Sequence, residues 1–395
     1  MSNDATTSQH PIVIAAGGTG GHLFPAQALA SELQRRGRKL ILITDNRGEN
    51  FAQSFPGADI MHIRAATFAG AGVLGRLKAG MKIVLGIFDA FRILRQQSPK
   101  VVIGFGGYPS FPTMVAAMLC GVRRCVHEQN AILGRVNRVI ATRINLIAST
   151  FGAFEDVSAT VNEKVVVTGN PLRDPVIVRA GADYPEISDE SELHLLVFGG
   201  SQGARILSDI LPEAVDRLPA SMKSRLRVVQ QCRPEDESRV VQAYRDAGIQ
   251  AEVAAFFTDM ADRLVKAHLI VCRSGAGTVC EIAAIGRPAI FVPLPTAMDD
   301  HQTVNASFLA GAGGGWMVAQ KNMTADNLAE KIQELFEYPQ LLKDAASKAV
   351  ALGRVGAAEH LADVLEAVEA RRPIDRVKRP IPGAQQISST TPVGN

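Results

Sequence analysis

Cysteine is sparse in this 395-residue chain, and none of its five cysteines, Cys120, Cys125, Cys232, Cys272 and Cys280, stands in a C-x-x-C pair. An odd set lying mostly inside apolar runs reads as reduced core thiols of a cytoplasmic protein. Charge of one sign is lacking as well. A balance of 42 Lys and Arg against 39 Asp and Glu leaves a net +3, too slight to argue for nucleic acid, though it permits weak attraction to an anionic membrane or a phosphorylated ligand. The N-terminus lacks a basic region leading into an apolar segment and a cleavage site, so no signal peptide is expected. Nor is there an unbroken apolar span. The uncharged run at 101–122 is long enough to cross a bilayer, but Gly106, Gly107, Pro109 and Pro112 would break it, so it reads as strand, loop and helix.

What is present is globular: 47% hydrophobic and 21% charged residues, in a chain long enough for two domains. Only the polar ends, 1–10 and 372–395, have the makeup of disorder, and neither is expected to carry chemistry. Between them, short β-rich runs ("IVIAA", "LILIT", "DIMHI", "VVIGF", "RCVHE", "NLIAS", "KVVVTG") alternate with stretches of helical period. After a turn-rich segment the pattern restarts with "HLLVFGG", "LRVVQQ", "AEVAAFF", "LIVCRSG" and "AIFVPLP". This alternation predicts two α/β domains, each a parallel, doubly wound sheet of Rossmann type, facing each other across a cleft. The boundaries follow as 11–172 and 173–345, with a helical stretch at 346–371 that could pack on either domain.

The first strand of each half runs into a glycine-rich turn, "GGTGGH" at 17–22 and "GGSQGA" at 199–204. Such a turn directs backbone N–H groups at an anion beside the positive end of a helix dipole, and phosphate is the natural guest. Neither standard nucleotide fingerprint is complete. The reading from Gly18 is "GTGGHL", with Leu23 where a dinucleotide fold needs its third glycine, and no lysine follows as a P-loop requires. His22, at the helix start, could serve as a general base or simply as a polar residue. "GFGGYPSFP" at 104–112 and "HEQN" at 127–130 belong to the same sheet edge, where open α/β folds bind ligands, though Glu128 could equally be a solvated acid.

In the second half, "CRSGAGTVCEIAAIGRP" brings small residues to a helix start. There Thr278 and Glu281 either form a capping box or leave the carboxylate to receive the hydroxyls of a ribose. "PLPTAMDDHQTVNA" crowds Asp299, Asp300, His301, Gln302 and Asn305 after a strand, without diagnostic metal-ligand spacing. No D-x-D string occurs, which argues against a metal-held sugar nucleotide. At 68–94, apolar residues interleave with Arg76, Lys78, Lys82 and Arg92; an interfacial membrane contact and a helix packed on the sheet both fit.

In order and spacing, "GGTGGHLFPA", "GGYPSFP", "HEQN", "GNPLR", "GGSQGA", "RSGAGTVCEIAAIGRPAIFVPLP" and "DDHQTVNA" resemble the bacterial MurG family over about 12–369. These are the N-acetylglucosaminyltransferases that complete lipid II in peptidoglycan synthesis. The resemblance implies a GT-B fold and an inverting, metal-independent transfer that needs no cofactor. It implies UDP-GlcNAc as donor, undecaprenyl-pyrophosphoryl-MurNAc-pentapeptide as acceptor, and residence on the anionic cytoplasmic face of the bacterial inner membrane. It places Thr19, Gly20, Gly21, Asn130 and Arg173 on the donor, with Ser201 at the diphosphate and Phe257 at the uracil. Ala276, Gly277, Thr278, Val279, Cys280 and Glu281 would line ribose and phosphates, and Gln302 would hold the sugar. His22 becomes the general base, with Glu128 as the alternative. The tail after Arg372 and Cys280 depart from the pattern associated with the family.

Three other classes compete. A nicotinamide oxidoreductase would use Asp45 but lacks the third glycine. A UDP-GlcNAc 2-epimerase would share fold and nucleotide without needing a lipid-facing surface. A non-catalytic sugar-nucleotide binder would keep Glu281 and have no use for His22.

Overall fold

The computed structural model describes residues 10–17, 20–45, 55, 57–66, 73–155, 157–200 and 203–374. Two parallel sheets organise them. The first contains β1 (Ile12–Ala15), β2 (Leu40–Thr44), β3 (Ala58–His62), β4 (Val101–Gly104), β5 (Arg123–Glu128), β6 (Leu146–Ser149) and β7 (Val165–Val167), in the order β3-β2-β1-β4-β5-β6-β7. The second contains β8 (Leu193–Phe198), β9 (Leu226–Gln231), β10 (Gln250–Ala254), β11 (Leu269–Cys272), β12 (Ala289–Phe291) and β13 (Gly315–Met317), in the order β10-β9-β8-β11-β12-β13. The central strands β1, β4, β8 and β11 are apolar along nearly their whole length because helices cover both faces of each sheet.

In both sheets the strand order reverses beside the first strand, between β1 and β4 and between β8 and β11. Connections leaving such a pair diverge to opposite faces and open a crevice at the carboxyl ends of the strands, where open α/β folds take their ligands. Gly17 and the "GFGG" turn stand at the first reversal point; Gly199 and "RSGAG" stand at the second.

The last helices divide between the domains. Pro339–Ala351 packs on Ala276–Ile285 and belongs to the second domain, so a boundary at 345/346 cuts through it. The chain crosses back at 352–356, and the helix Ala357–Glu369 lies on Gly20–Arg35. Its Leu361, Val364, Leu365 and Val368 are buried in the first core with Leu29, Leu33 and Ile103. Arg36 and Arg38 fasten it, Arg36 to Asp363 and Glu366, Arg38 to Glu366 and Glu369. Part of the segment expected to be tail also belongs here, since Ile374 packs against the same core. Of the polar N-terminal segment, His10 is described, its ring hydrogen-bonded to the Ser98 carbonyl.

Candidate active site

The helix Gly20–Arg35 begins within the first glycine turn. Its neighbour is the turn after β4, where Gly106 and Gly107 take positive φ (93° and 78°). A Cβ on Gly107 would stand 2.2 Å from the Gly17 carbonyl, and one on Gly106 would stand 2.9 Å from the His22 ring. Glycine is therefore required twice over, for the left-handed backbone and for the close approach of the two turns. The result is a half-buried His22 seated at the reversal point of the first sheet.

His22 Nδ1 lies 3.0 Å from Gln129 Oε1. Gln129 is buried, as is His127, whose Nε2 donates to the Gly169 carbonyl at 2.9 Å. Glu128, between them in sequence, turns the other way. Its carboxylate accepts from the N–H groups of Asn130 (3.2 Å) and Gly134 (2.9 Å) and from the side-chain amides of Asn130 (3.4 Å) and Asn137 (2.8 Å). Both oxygens are thus committed to shaping the loop after β5.

Across the cleft, the helix Ala276–Ile285 starts from Gly275, with no side-chain cap. Thr278 is therefore the third helical residue, and the capping box that it could have opened with Glu281 does not form. Glu281 instead accepts from Arg173 Nη2 at 3.1 Å, and the Arg173 guanidinium covers the Phe24 ring with Cζ 4.5 Å from its centroid. One arginine from the linker thus touches the first helix of one domain and the carboxylate of the other. Burial pushes the Glu281 carboxyl above the ordinary glutamate range, against the opposing pull of Arg173. Beside this pair, Asn170 is buried with no hydrogen-bond partner for Oδ1 among the described residues. Ala276 and Gly277 keep the helix start open, and the nearest atom to a Cβ on Gly277 would be Asn170 Nδ2 at 4.0 Å.

Other expected residues divide by the direction their side chains take. Val279 is wholly buried in the core of the second domain, so its side chain is out of reach of a ligand. Cys280 faces a small cavity shared with Thr150, Asn170 and Arg354, where burial pushes its thiol up to about 12 and keeps it protonated. Phe257 is buried beneath the Arg263 guanidinium, with Cζ 4.0 Å from the ring centroid, so its side chain is taken up by the protein. Gln302 accepts from Leu294 N–H at 3.0 Å through Oε1, and its own carbonyl accepts from Ser274 Oγ at 2.8 Å. Thr19 and Ser201 lie outside the described residues.

The cleft is bridged near its mouth. Asn305, fully buried, donates to Asn130 Oδ1 (3.1 Å) and to the Ser274 carbonyl (3.2 Å) while accepting from Ala131 N–H (2.9 Å). Arg135 pairs with Asp299 at 2.8 Å. Asp299 and Asp300 both adopt positive φ (54° and 52°), a conformation that disfavours residues with a Cβ by about 1–2 kcal/mol each. Asp45, the acid a nicotinamide fold would use, is buried at the end of β2 near Gly17. Among the described residues, no three His, Cys, Asp or Glu side chains converge as a metal-ligand set.

Sequence reasoning passed over Gln129, His127 and Asn170 as individuals, although each lies within a quoted motif. Gln129 stands 107 residues from His22, and nothing local in either stretch announces their contact.

Relatives match along most of the chain. Residues 12–149 match the glycosyltransferase family 28 N-terminal domain, and residues 194–363 match the C-terminal domain of the same family. A relative from Paramagnetospirillum magneticum is 46% identical over 360 residues, covering 91% of this chain and 97% of its own length. It is named UDP-N-acetylglucosamine--N-acetylmuramyl-(pentapeptide) pyrophosphoryl-undecaprenol N-acetylglucosamine transferase. A relative from Caulobacter vibrioides carries the same name at 45% identity, covering 90% of this chain and 98% of its own. The crystal structure of MurG from Acinetobacter baumannii superposes with a TM-score of 0.73 at 32% identity, covering 90% of this chain and 99% of its own. A UDP-GlcNAc 2-epimerase from Neisseria meningitidis reaches a TM-score of 0.62 at 16% identity over 90% of this chain and 99% of its own, a likeness of fold alone. With family domains on both sheets and relatives aligned almost end to end, the chain belongs to glycosyltransferase family 28, among the MurG enzymes.

Proposed function

We infer that this chain transfers GlcNAc from UDP-GlcNAc to the 4-hydroxyl of MurNAc in undecaprenyl-pyrophosphoryl-MurNAc-pentapeptide, with inversion at the anomeric carbon. The observation that carries the reading is near full-length identity of 45–46% to relatives named for this reaction. It is joined by a cleft in which a histidine and a helix start on one side oppose an open helix start and a carboxylate on the other. In the reaction the hydroxyl oxygen bonds to the anomeric carbon as the bond to the diphosphate breaks. UDP leaves, and the hydroxyl proton passes to His22.

Charge growing on the departing diphosphate meets the start of the Ala276–Ile285 helix and the Arg173 guanidinium, groups fixed in place before reaction. Glu281, beside that helix start, takes the ribose hydroxyls, and Gln302, with Oε1 occupied by Leu294 N–H, offers its amide N–H to the sugar. Glu128 is the weaker choice of base, because its carboxylate already accepts four hydrogen bonds within its own loop.

The acceptor's lipid calls for a membrane surface, and the helix Val73–Gln97 is suited to provide the contact. Leu77, Met81, Val84 and Phe88, 55–67% exposed, form one stripe at helical spacing, flanked by exposed Arg76, Lys78, Lys82 and Arg92. Residues 68–72 of the expected segment lie outside the described residues, and no described helix is long and apolar enough to cross a membrane. UDP release measured with and without the lipid-linked MurNAc-peptide tests the whole reading. Acceptor-dependent release is expected, whereas release or epimerisation of UDP-GlcNAc without acceptor would move the chain to the epimerase class.

A further inference from the structure

We propose that Gln129 and His127 form a relay, anchored on the backbone carbonyls of Gly169 and of His127 itself, that holds His22 in its Nδ1–H tautomer and leaves Nε2 as the proton acceptor. The argument needs only groups whose hydrogen-bonding sense is fixed. The Gly169 carbonyl can only accept, so the His127 Nε2 at 2.9 Å carries the hydrogen. His127 is wholly buried, stacked on Phe105 with ring centroids 5.2 Å apart, and burial lowers its pKa to about 4. It is therefore neutral at physiological pH, with one N–H only, and its Nδ1 is an acceptor.

Gln129 Nε2 lies 3.0 Å from that Nδ1 and 3.1 Å from the His127 carbonyl, two acceptors that both require the amide nitrogen to face them. This fixes the orientation of the amide and turns Oε1 to His22. An amide oxygen only accepts, so the His22 Nδ1 at 3.0 Å must donate. In a neutral ring the other nitrogen is then bare, and His22 Nε2 makes no hydrogen bond among the described residues. Free neutral imidazole in water favours the opposite tautomer, with hydrogen on Nε2, which could not accept a proton there. The relay thus selects the form that base catalysis needs, and Gln129 and His127 are positioning residues acting through His22.

The relay also reaches the hinge. Gly169 opens the linker motif "GNPLR" with φ +84°, and a Cβ there would stand 3.1 Å from both Ala357 and Arg354 of the returning chain. Its carbonyl is therefore set by the crossing between the domains.

The proposal rests on the reading of His22 as base, and the test separates the two. Imidazole nitrogen NMR on ¹⁵N-histidine-labelled protein, with the His22 signals assigned by their loss in His22→Gln, reports the tautomer directly. In the unaltered enzyme His22 is expected as Nδ1–H with Nε2 unprotonated; an Nε2–H majority there would overturn the relay with no variant needed. Gln129→Leu, similar in size and without polar atoms, is expected to move His22 towards Nε2–H and lower kcat about 10-fold with the UDP-GlcNAc KM little changed. In a His22→Ala background the same change should lower kcat no further, because the residues act as one unit. A tautomer that stays Nδ1–H in Gln129→Leu overturns the relay. A tautomer that shifts while kcat is unaltered supports the relay and removes His22 as base.

Discussion

At the residue scale the site reduces to two nitrogens and a carboxylate. If His22 takes the hydroxyl proton, His22→Ala should lower kcat by about 100-fold or more, the ordinary scale for losing a general base, with UDP affinity nearly unchanged. His22→Asn can hydrogen-bond to Gln129 but cannot accept the proton, and should be almost as slow. An asparagine variant with most of its activity would leave His22 a positioning role only. Glu281 yields a prediction with a sign. Its carboxyl sits above the ordinary glutamate range, by burial first, so its charged form is lost sooner on acidification than that of an exposed glutamate. The donor KM should therefore climb as pH falls through that raised value, and Glu281→Gln should remove the dependence while raising KM about 10-fold or more, the scale of a lost charge-assisted hydrogen bond. The stability effect runs oppositely. Folding favours the protonated form, so this group withdraws stability as pH rises above its unfolded-state pKa, and Glu281→Gln should be slightly more resistant to urea at neutral pH. Loss of melting temperature without change in KM would instead assign Glu281 a purely structural part.

At the scale of elements, the helix Val73–Gln97 carries the clearest divided surface. One side packs on the helix Ser110–Leu119, and Gly86 admits the Arg64 carbonyl where a Cβ would come within 1.9 Å of it. The opposite stripe, Leu77 to Phe88, is exposed and packs on no other helix or strand among the described residues. Replacing Leu77 and Val84 by serine, with Lys78 and Lys82 by glutamate, should weaken sedimentation with anionic vesicles about 10-fold or more and spare turnover of a short-chain soluble acceptor. Unaltered vesicle binding would move the contact elsewhere. The elements themselves were largely legible, because the two sheets are built from short apolar runs between helical stretches and doubly wound sheets need little else. The exception is instructive. β13, Gly315–Met317, is three residues at a sheet edge following a run of glycines, and its pairing with β12 comes from the existing sheet, not from local β propensity. The helix Ala276–Ile285 begins before Thr278 because Gly275 takes the cap position, a choice that a T-x-x-E spacing alone cannot foresee. Contacts between distant stretches were less legible: His22 with Gln129 only as motifs destined for one sheet edge, and Arg173 with Glu281 only as motifs facing the same cleft.

At the scale of the molecule, the chain crosses between domains twice, at the linker near Gly169 and again at 352–356, so the first domain is completed by residues that follow the second domain in the chain. Leu361, Val364, Leu365 and Val368 are 0–3% exposed within its core. Burial of four such side chains contributes roughly 6–12 kcal/mol at about 1.5–3 kcal/mol each, which is of the same order as the whole stability of a typical domain. The Arg36 and Arg38 ion pairs with the helix add to this, being themselves only 9–24% exposed. A chain ending at Gly356 should therefore lose the first domain while the second, whose cores include no residue beyond Leu352, stays folded. The single tryptophan makes this easy to read. Trp316 lies on β13 and packs against the second domain's core, so its fluorescence reports that domain alone, while far-UV circular dichroism reports both. In the full chain the two signals are expected to change together on heating. In the shortened chain the dichroism should fall well below that of the full chain at low temperature, with the Trp316 emission still that of the partly buried ring in the full chain and its own transition preserved. Coincident transitions at the full chain's temperature would show that the first domain holds its core without the returning helix, and that the second crossing serves only to set the angle of the cleft.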